Sequence, residues 1–211
     1  MKRSIFIVIA ALFAAFSARA YAVSDAPDIS AASAIVMHSG GEVIYEKNAD
    51  AQSLIASTTK LMTAIVAIEN CGLDDELEVG ADSCGIEGSS MYLHPGQCVT
   101  VEDLLYGLLL VSGNDAAVAL GEHLAGSEEA FVARMNERAT ELGCEHTHFA
   151  NATGLHNSQH YTTAWDLYLI TREALKHDKF MEICNSKSAE IAETDHNQRH
   201  VLHSTLSLIH I

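Results

Sequence analysis

The spacing of apolar and polar residues changes several times along the chain. Residues 33–38 (Ser-Ala-Ile-Val-Met-His) and 42–46 (Glu-Val-Ile-Tyr-Glu) are short runs rich in β-branched residues and predict two strands. Ser39-Gly40-Gly41 between them predicts a tight hairpin. From about Ser57 to Asn70 the apolar positions shift to helical spacing, with Leu61, Ile65 and Ile68 on one face, and Gly72 predicts the stop. Residues 73–98 are mixed and rich in Gly and Ser, with short strands predicted at 76–79 and near 97–99. Thr100 and Asp103 form a capping-box pattern ahead of a helix over 101–111. That helix is apolar nearly all round, which predicts burial. Ser112-Gly113-Asn114 interrupts it. A second helix is predicted to about Ala125 with Gly126 as its stop, and a third from Ser127 to Leu142, ended by Gly143. Residues 144–160 read as a loop rich in Asn, His and Gly. Thr162 or Thr163 opens a fourth helix to about Lys176, with Thr163 and Asp166 as a candidate box. Beyond Phe180 the pattern fades, with a candidate strand at 188–194. No repeat and no low-complexity linker is present. Strand pair, helix cluster and late strands in that order predict an α+β fold, not the alternation of a doubly wound sheet.

The N-terminus reads differently. Lys2 and Arg3 precede an apolar run at 4–16, and Ala20-Tyr21-Ala22 has the form of a signal-peptidase site. The run is short for a membrane span, which needs about 20 residues. A secretory signal at 1–22 is the reading, with an uncleaved anchor as the alternative, leaving 23–211, enough for one domain with its own core. With the three basic residues of the signal (Lys2, Arg3, Arg19) set aside, nine Lys and Arg face 28 Asp and Glu, a formal charge near −19. Such a surface repels phosphate backbones and excludes nucleic acid as a natural partner. It also argues against docking on anionic lipid through a basic patch. Export permits disulfides. Five cysteines (Cys71, Cys84, Cys98, Cys144, Cys184) leave at least one unpaired within the chain, and Cys71 with Cys84 or Cys98 is one open pairing.

The chemistry concentrates at Ser57-Thr58-Thr59-Lys60. A serine hydroxyl is a poor nucleophile until a base takes its proton. Ser at i and Lys at i+3 on a helix share a face, and a buried lysine becomes a base near neutral pH because desolvation disfavours its charge. Alone, this spacing also fits an N-cap serine and a solvated lysine. Ser112 and Asn114 add a second cluster, because polar groups at a break in a buried helix cost free energy unless satisfied. Ser112 is a candidate proton relay and Asn114 a candidate holder of a substrate amide. An ordinary helix-to-helix turn is the bland alternative.

Taken together, Ser57-x-x-Lys60 and Ser112-Gly113-Asn114 resemble the first two of three motifs of penicillin-recognising serine enzymes. Ala56 to Ala64 is similar to the active-serine helix of low-molecular-mass penicillin-binding proteins, the serine D-Ala-D-Ala carboxypeptidases of peptidase family S11. So are Gly88-Ser89-Ser90-Met91, Pro95-Gly96, Leu110 to Ala117, His148-Phe149 with Asn151, Gly154-Leu155 and Tyr161 to Ala164. Class A β-lactamases share the mechanism but carry Asp where this chain has Gly113, which favours a carboxypeptidase. The resemblance implies a β-lactamase/DD-peptidase-like transpeptidase fold. It implies Ser57 as acyl-ester nucleophile, Lys60 as general base, Ser112 in the proton path and Asn114 on the substrate. Its substrate would be a peptidoglycan stem peptide ending in D-Ala-D-Ala, with β-lactam inhibitors acylating the same serine. No metal or organic cofactor is implied. Localisation would be extracytoplasmic, at the cell envelope.

The third motif, Lys-Thr-Gly or His-Thr-Gly on a strand, does not occur in the chain. His38-Ser39-Gly40 lies before the nucleophile, and His203-Ser204-Thr205 does not fit. The expectation is therefore a member of the family cut short at the C-terminus, with later strands of the central antiparallel sheet missing. A lone strand pair is marginal, so the 211-residue chain by itself is expected to be poorly stable and inactive and its full-length parent active. A β-lactamase-like hydrolase and a non-catalytic peptidoglycan- or penicillin-binding module are the other functional readings. His146, His148, His156 and His160 cluster in one loop without a metal-ligand pattern and are expected to be solvated.

Overall fold

The computed structural model describes residues 27–191 and 199–205. The signal segment at 1–22 lies outside the described residues. The chain divides into a unit of residues 1–31 and a unit of residues 32–211. Of the first, residues 27–31 are described, and they carry no helix or strand.

In the second unit the predicted hairpin forms. β1 (Ala34–Met37) pairs antiparallel with β2 (Val43–Lys47). His38 N donates to Glu42 O at 2.8 Å and Gly41 N to His38 O at 2.8 Å. Gly41 takes φ +87° there, a value glycine adopts without penalty. β3 (Glu76–Glu78) and β4 (Cys98–Thr100) lie where the sequence predicts short strands, and the structure pairs them antiparallel. β5 (Ser188–Ile191) pairs with β6 (His200–His203). Among the described residues these are three separate two-stranded sheets.

The helical cluster stands between them. A 3₁₀ turn over Ala56–Thr59 leads into α1 (Lys60–Asn70). The predicted helix from Ser57 thus starts as a tighter turn, and Cys71 ends it in extended conformation one residue before Gly72. α2 (Val101–Leu110) carries the full capping box of Thr100 and Asp103. α3 (Asn114–Ala125) ends on Gly126, left-handed at φ +79°, as glycine allows at this position. α4 (Glu128–Glu141) is capped by Ser127 Oγ, which accepts from Ala130 N. α5 (Ala164–Ala174) is capped by Thr163 Oγ1, which accepts from Asp166 N. The reciprocal half of that predicted box does not form. The Asp166 carboxylate accepts instead from His146 N at 2.8 Å and Thr147 Oγ1 at 2.7 Å, tying the loop before it to the helix. α6 (Asp178–Asn185) and β6 were not foreseen.

α1 runs through the middle of the core. Met62, Ala64, Ile65, Val66 and Ala67 are buried on it, and it packs against α2, α3, α4 and α5. Each large apolar side chain buried this way contributes roughly 1.5–3 kcal/mol. Gly107 in α2 is required by packing, since a Cβ there would lie 2.2 Å from Met91 Sδ. It lets the segment around Met91 lie on the helix. All five cysteines are free, so no pairing of Cys71 with Cys84 or Cys98 forms. Among the described residues no helix is long and apolar enough to cross a membrane.

Candidate active site

The junction between the 3₁₀ turn and α1 presents Ser57 at the surface and sends Lys60 inward, where it is 3 % exposed. Lys60 Nζ donates to Asn114 Oδ1 at 2.7 Å and to the Thr153 carbonyl at 2.7 Å, and lies 3.3 Å from Ser57 Oγ. Burial lowers the ammonium from its usual 10.5 to about 8, with the Asp115 carboxylate opposing the shift. The two short bonds end on carbonyl-type oxygens, which only accept. A neutral amine therefore spends both hydrogens on them, and its lone pair points along the third direction, toward Ser57 Oγ.

Ser112 and Asn114 reach the same place by a strained turn. Ser112 adopts φ +58°, uncommon for a residue with a side chain. Gly113 N donates to Gly107 O at 3.0 Å and Asn114 N to Ser89 O at 2.8 Å. Asn114 Nδ2 donates to Glu87 O at 2.5 Å. Asn114 thus orients Lys60 with its oxygen and holds the Glu87–Ser89 segment with its nitrogen. Ser112 lines the cavity beside Ser57 and Lys60. Its hydroxyl makes no hydrogen bond to either among the described residues. The cavity is about 270 Å³, walled otherwise by apolar groups including Leu61, Leu108 and Cys184. Next to Asn114, the buried Asp115 carboxylate accepts from Met91 N (3.0 Å), Leu93 N (3.0 Å), Ala116 N (2.9 Å) and Ser90 Oγ (2.5 Å). It binds the 90–93 segment to the start of α3.

The loop at 144–160 completes the site. Asn151 Oδ1 accepts from Thr153 N, Thr153 Oγ1 and Gly154 N, at 3.2, 3.0 and 2.7 Å, folding the turn that offers Thr153 O to Lys60. Gly154, at φ +87°, presses on the nucleophile turn so closely that a Cβ would lie 1.9 Å from Ala56 O. The Ser57 N–H donates to no protein acceptor among the described residues. One expectation is corrected here. His146, His148 and His156 are exposed, but His160 is buried at 2 % exposure, bonded to Thr59 Oγ1 and Ala150 N. Residues 144–160 fold back onto α1, and the ring fills the space between them.

The structure brings Ser57, Lys60 and Asn114 together by hydrogen bonds and Ser112 by a shared cavity. Thr153 was missed because it acts through its backbone, which leaves no side-chain signature. Asp115 was visible only as a motif neighbour, and His160 only as one of four loop histidines. Away from the site, Glu69, Glu173 and His177 converge. Arg138 donates to both of these carboxylates at 2.7–3.1 Å, so they form an ion-pair hub.

A helical cluster carrying a surface serine and a buried lysine one turn apart has the fold of the DD-peptidases and penicillin-binding proteins. The family model for D-alanyl-D-alanine carboxypeptidase, peptidase S11, matches residues 20–207, and the chain belongs to this family. It is 38% identical over 143 residues to the D-alanyl-D-alanine carboxypeptidase DacF of Bacillus subtilis, covering 65% of this chain and 37% of the relative. Against DacC of Escherichia coli it is 37% identical over 191 residues, covering 85% of this chain and 48% of the relative. The crystal structure of a D-alanyl-D-alanine carboxypeptidase from Mycobacterium tuberculosis superposes with a TM-score of 0.79 at 32% identity, covering 85% of this chain and 68% of that one. The chain spans between about a third and a half of the length of these two curated relatives.

Proposed function

We propose that the protein is an exported serine-type D-Ala-D-Ala carboxypeptidase of the cell envelope, acting through an acyl-enzyme on Ser57. The observation that carries this reading is the placement of Lys60 Nζ, whose two shortest bonds go to acceptors and whose remaining direction faces Ser57 Oγ. Ser57 Oγ attacks the carbonyl carbon of the penultimate D-alanine while its proton passes to Lys60 Nζ. The oxygen of the tetrahedral adduct takes its charge beside the Ser57 N–H, a donor worth a few kcal/mol when it is aimed at the developing oxyanion. Collapse breaks the C–N bond, and the proton held by Lys60 passes to the departing amine of the terminal D-alanine, with Ser112 Oγ in the path. Water then attacks the ester, Lys60 takes its proton, and Ser57 is regenerated as the stem peptide leaves. Asn114 steadies Lys60 throughout, and the second hydrogen of its Nδ2 is the one available to a substrate carbonyl.

β-Lactams acylate the same serine in this reading, and the segment at 1–22 directs export. Gly113 speaks against the β-lactamase alternative: a Cβ there would lie 2.9 Å from Asp115 Oδ1 and 3.2 Å from Gly107 O, so an aspartate would force the Asp115 carboxylate and the turn to shift. The test is to give the full-length protein a peptide ending in D-Ala-D-Ala and, separately, nitrocefin. Release of free D-alanine with slow nitrocefin turnover supports the carboxypeptidase. Fast nitrocefin turnover without D-alanine release contradicts it, and peptide binding that survives Ser57→Ala with no acyl adduct in the parent identifies a binding module.

A further inference from the structure

His160 is connected to the nucleophile by a directional chain of hydrogen bonds. Ala150 N donates to His160 Nδ1 at 3.0 Å. A backbone N–H cannot accept, so Nδ1 carries the lone pair, and the neutral ring holds its proton on Nε2. Nε2–H then donates to Thr59 Oγ1 at 2.6 Å, and Thr59 Oγ1 donates to Ala56 O at 2.8 Å. The Phe149 ring stands edge-on against the imidazole, 5.7 Å between centroids. A flipped ring would leave the Ala150 N–H without its acceptor.

The end of this chain matters because Ala56 C=O and Ser57 N–H belong to one planar peptide unit. Fixing the direction of the oxygen fixes the direction of the N–H on its other side. Ala56 takes φ +44°, a conformation a residue with a side chain rarely adopts. Something must hold it there. Thr59 Oγ1 grips the carbonyl from one side, and Gly154 closes on it from another. The loop that carries His160 also supplies Thr153 O to Lys60.

We infer that His160 is a positioning residue for acyl transfer: through Thr59 it sets the Ala56–Ser57 peptide plane, and with it the aim of the Ser57 N–H at the developing oxyanion. This rests on the acyl-transfer reading above. It assigns no contact between His160 and substrate.

The test uses the full-length protein with His160→Ala, His160→Gln, Thr59→Val and the His160→Ala/Thr59→Val double variant. The second-order rate of Ser57 acylation by a fluorescent penicillin is measured at a temperature where circular dichroism shows each variant folded. His160→Ala and Thr59→Val are expected to slow acylation about 10- to 100-fold. The double variant should lose no more than the worse single one, because both break the same chain. His160→Gln, which keeps a donor near the Nε2 position, should recover most of the rate lost in His160→Ala. Thr59→Val keeps the proposal testable if His160→Ala does not fold. Nitrogen-15 NMR of the wild type should show a neutral His160 protonated on Nε2. A lowered melting temperature with unchanged acylation, additive losses in the double variant, or a proton on Nδ1 overturns the inference. If the wild type acylates and the variants match it, this inference alone fails. If the wild type is never acylated at Ser57, the acyl-transfer reading falls and this one with it.

Discussion

Lys60 Nζ stands 3.3 Å from Ser57 Oγ while Asn114 Oδ1 and Thr153 O each hold it at 2.7 Å. The two shorter contacts fix where the amine sits, and the longer one is where it acts. The arrangement links three stretches of chain that are far apart in sequence, and each can be tested separately.

The first prediction concerns pH. Burial brings Lys60 to about 8, so the base form grows as pH rises through that value. The second-order rate of penicillin acylation should rise with pH and reach half its plateau near pH 8. Stability follows the same sign. Below pH 8 the lysine is charged in folded and unfolded chains, and the burial penalty is fully present. Between pH 8 and 10.5 the folded form alone loses the proton, and stability rises. An acylation rate flat from pH 6 to 10 would contradict the assignment.

Asp115→Asn should act on both the loop and the base. One amide oxygen cannot replace a carboxylate that accepts from Met91 N, Leu93 N, Ala116 N and Ser90 Oγ. Thermal or urea unfolding should show a loss of about 2–4 kcal/mol. The carboxylate raises the Lys60 value, so its removal should move the acylation profile to lower pH. A shift to higher pH would contradict the electrostatic account.

Gly154→Ala places a methyl group 1.9 Å from Ala56 O on a backbone at φ +87°. The nucleophile turn must move or the loop must open. We expect a loss of about 3 kcal/mol or more in unfolding free energy and a collapse of acylation in whatever remains folded. A variant within about 1 kcal/mol of wild type would contradict the close packing.

His160 should give the fold an acid limit. Burial, with a smaller contribution from His148, lowers it from 6.5 to about 4. The unfolded chain takes up the proton first, so stability present above pH 6.5 is lost as pH falls toward 4. The contribution is on the order of 3 kcal/mol. Urea unfolding at pH 7 and pH 4 should show the loss, and His160→Gln should reduce it.

Local signals were legible in the sequence wherever they were sufficient by themselves. The Ser39–Gly41 hairpin, the Thr100 box, the Ser127 cap and the Gly126 stop depend on residues within a few positions of each other, and all form. Ser57, Lys60 and Asn114 were legible because they match a spaced motif. α6 was missed because eight residues bury only Phe180 and Ile183, too few to establish a period. β6 was missed because its partner β5 decides it, and its own pattern is four residues long. His160 looked like one of four loop histidines. Its burial depends on a loop folding back across about a hundred residues of sequence onto Thr59.

The most direct test of the account is to locate the acyl group. The full-length protein is incubated with penicillin, and the adduct is mapped by mass spectrometry in wild type, Ser57→Ala and Lys60→Arg. We predict one adduct, on Ser57, absent in Ser57→Ala and formed at least about 10³-fold more slowly in Lys60→Arg, whose guanidinium cannot give up its proton. An adduct on another residue, or a Lys60→Arg variant that acylates at the wild-type rate, would contradict the pairing of Ser57 with Lys60.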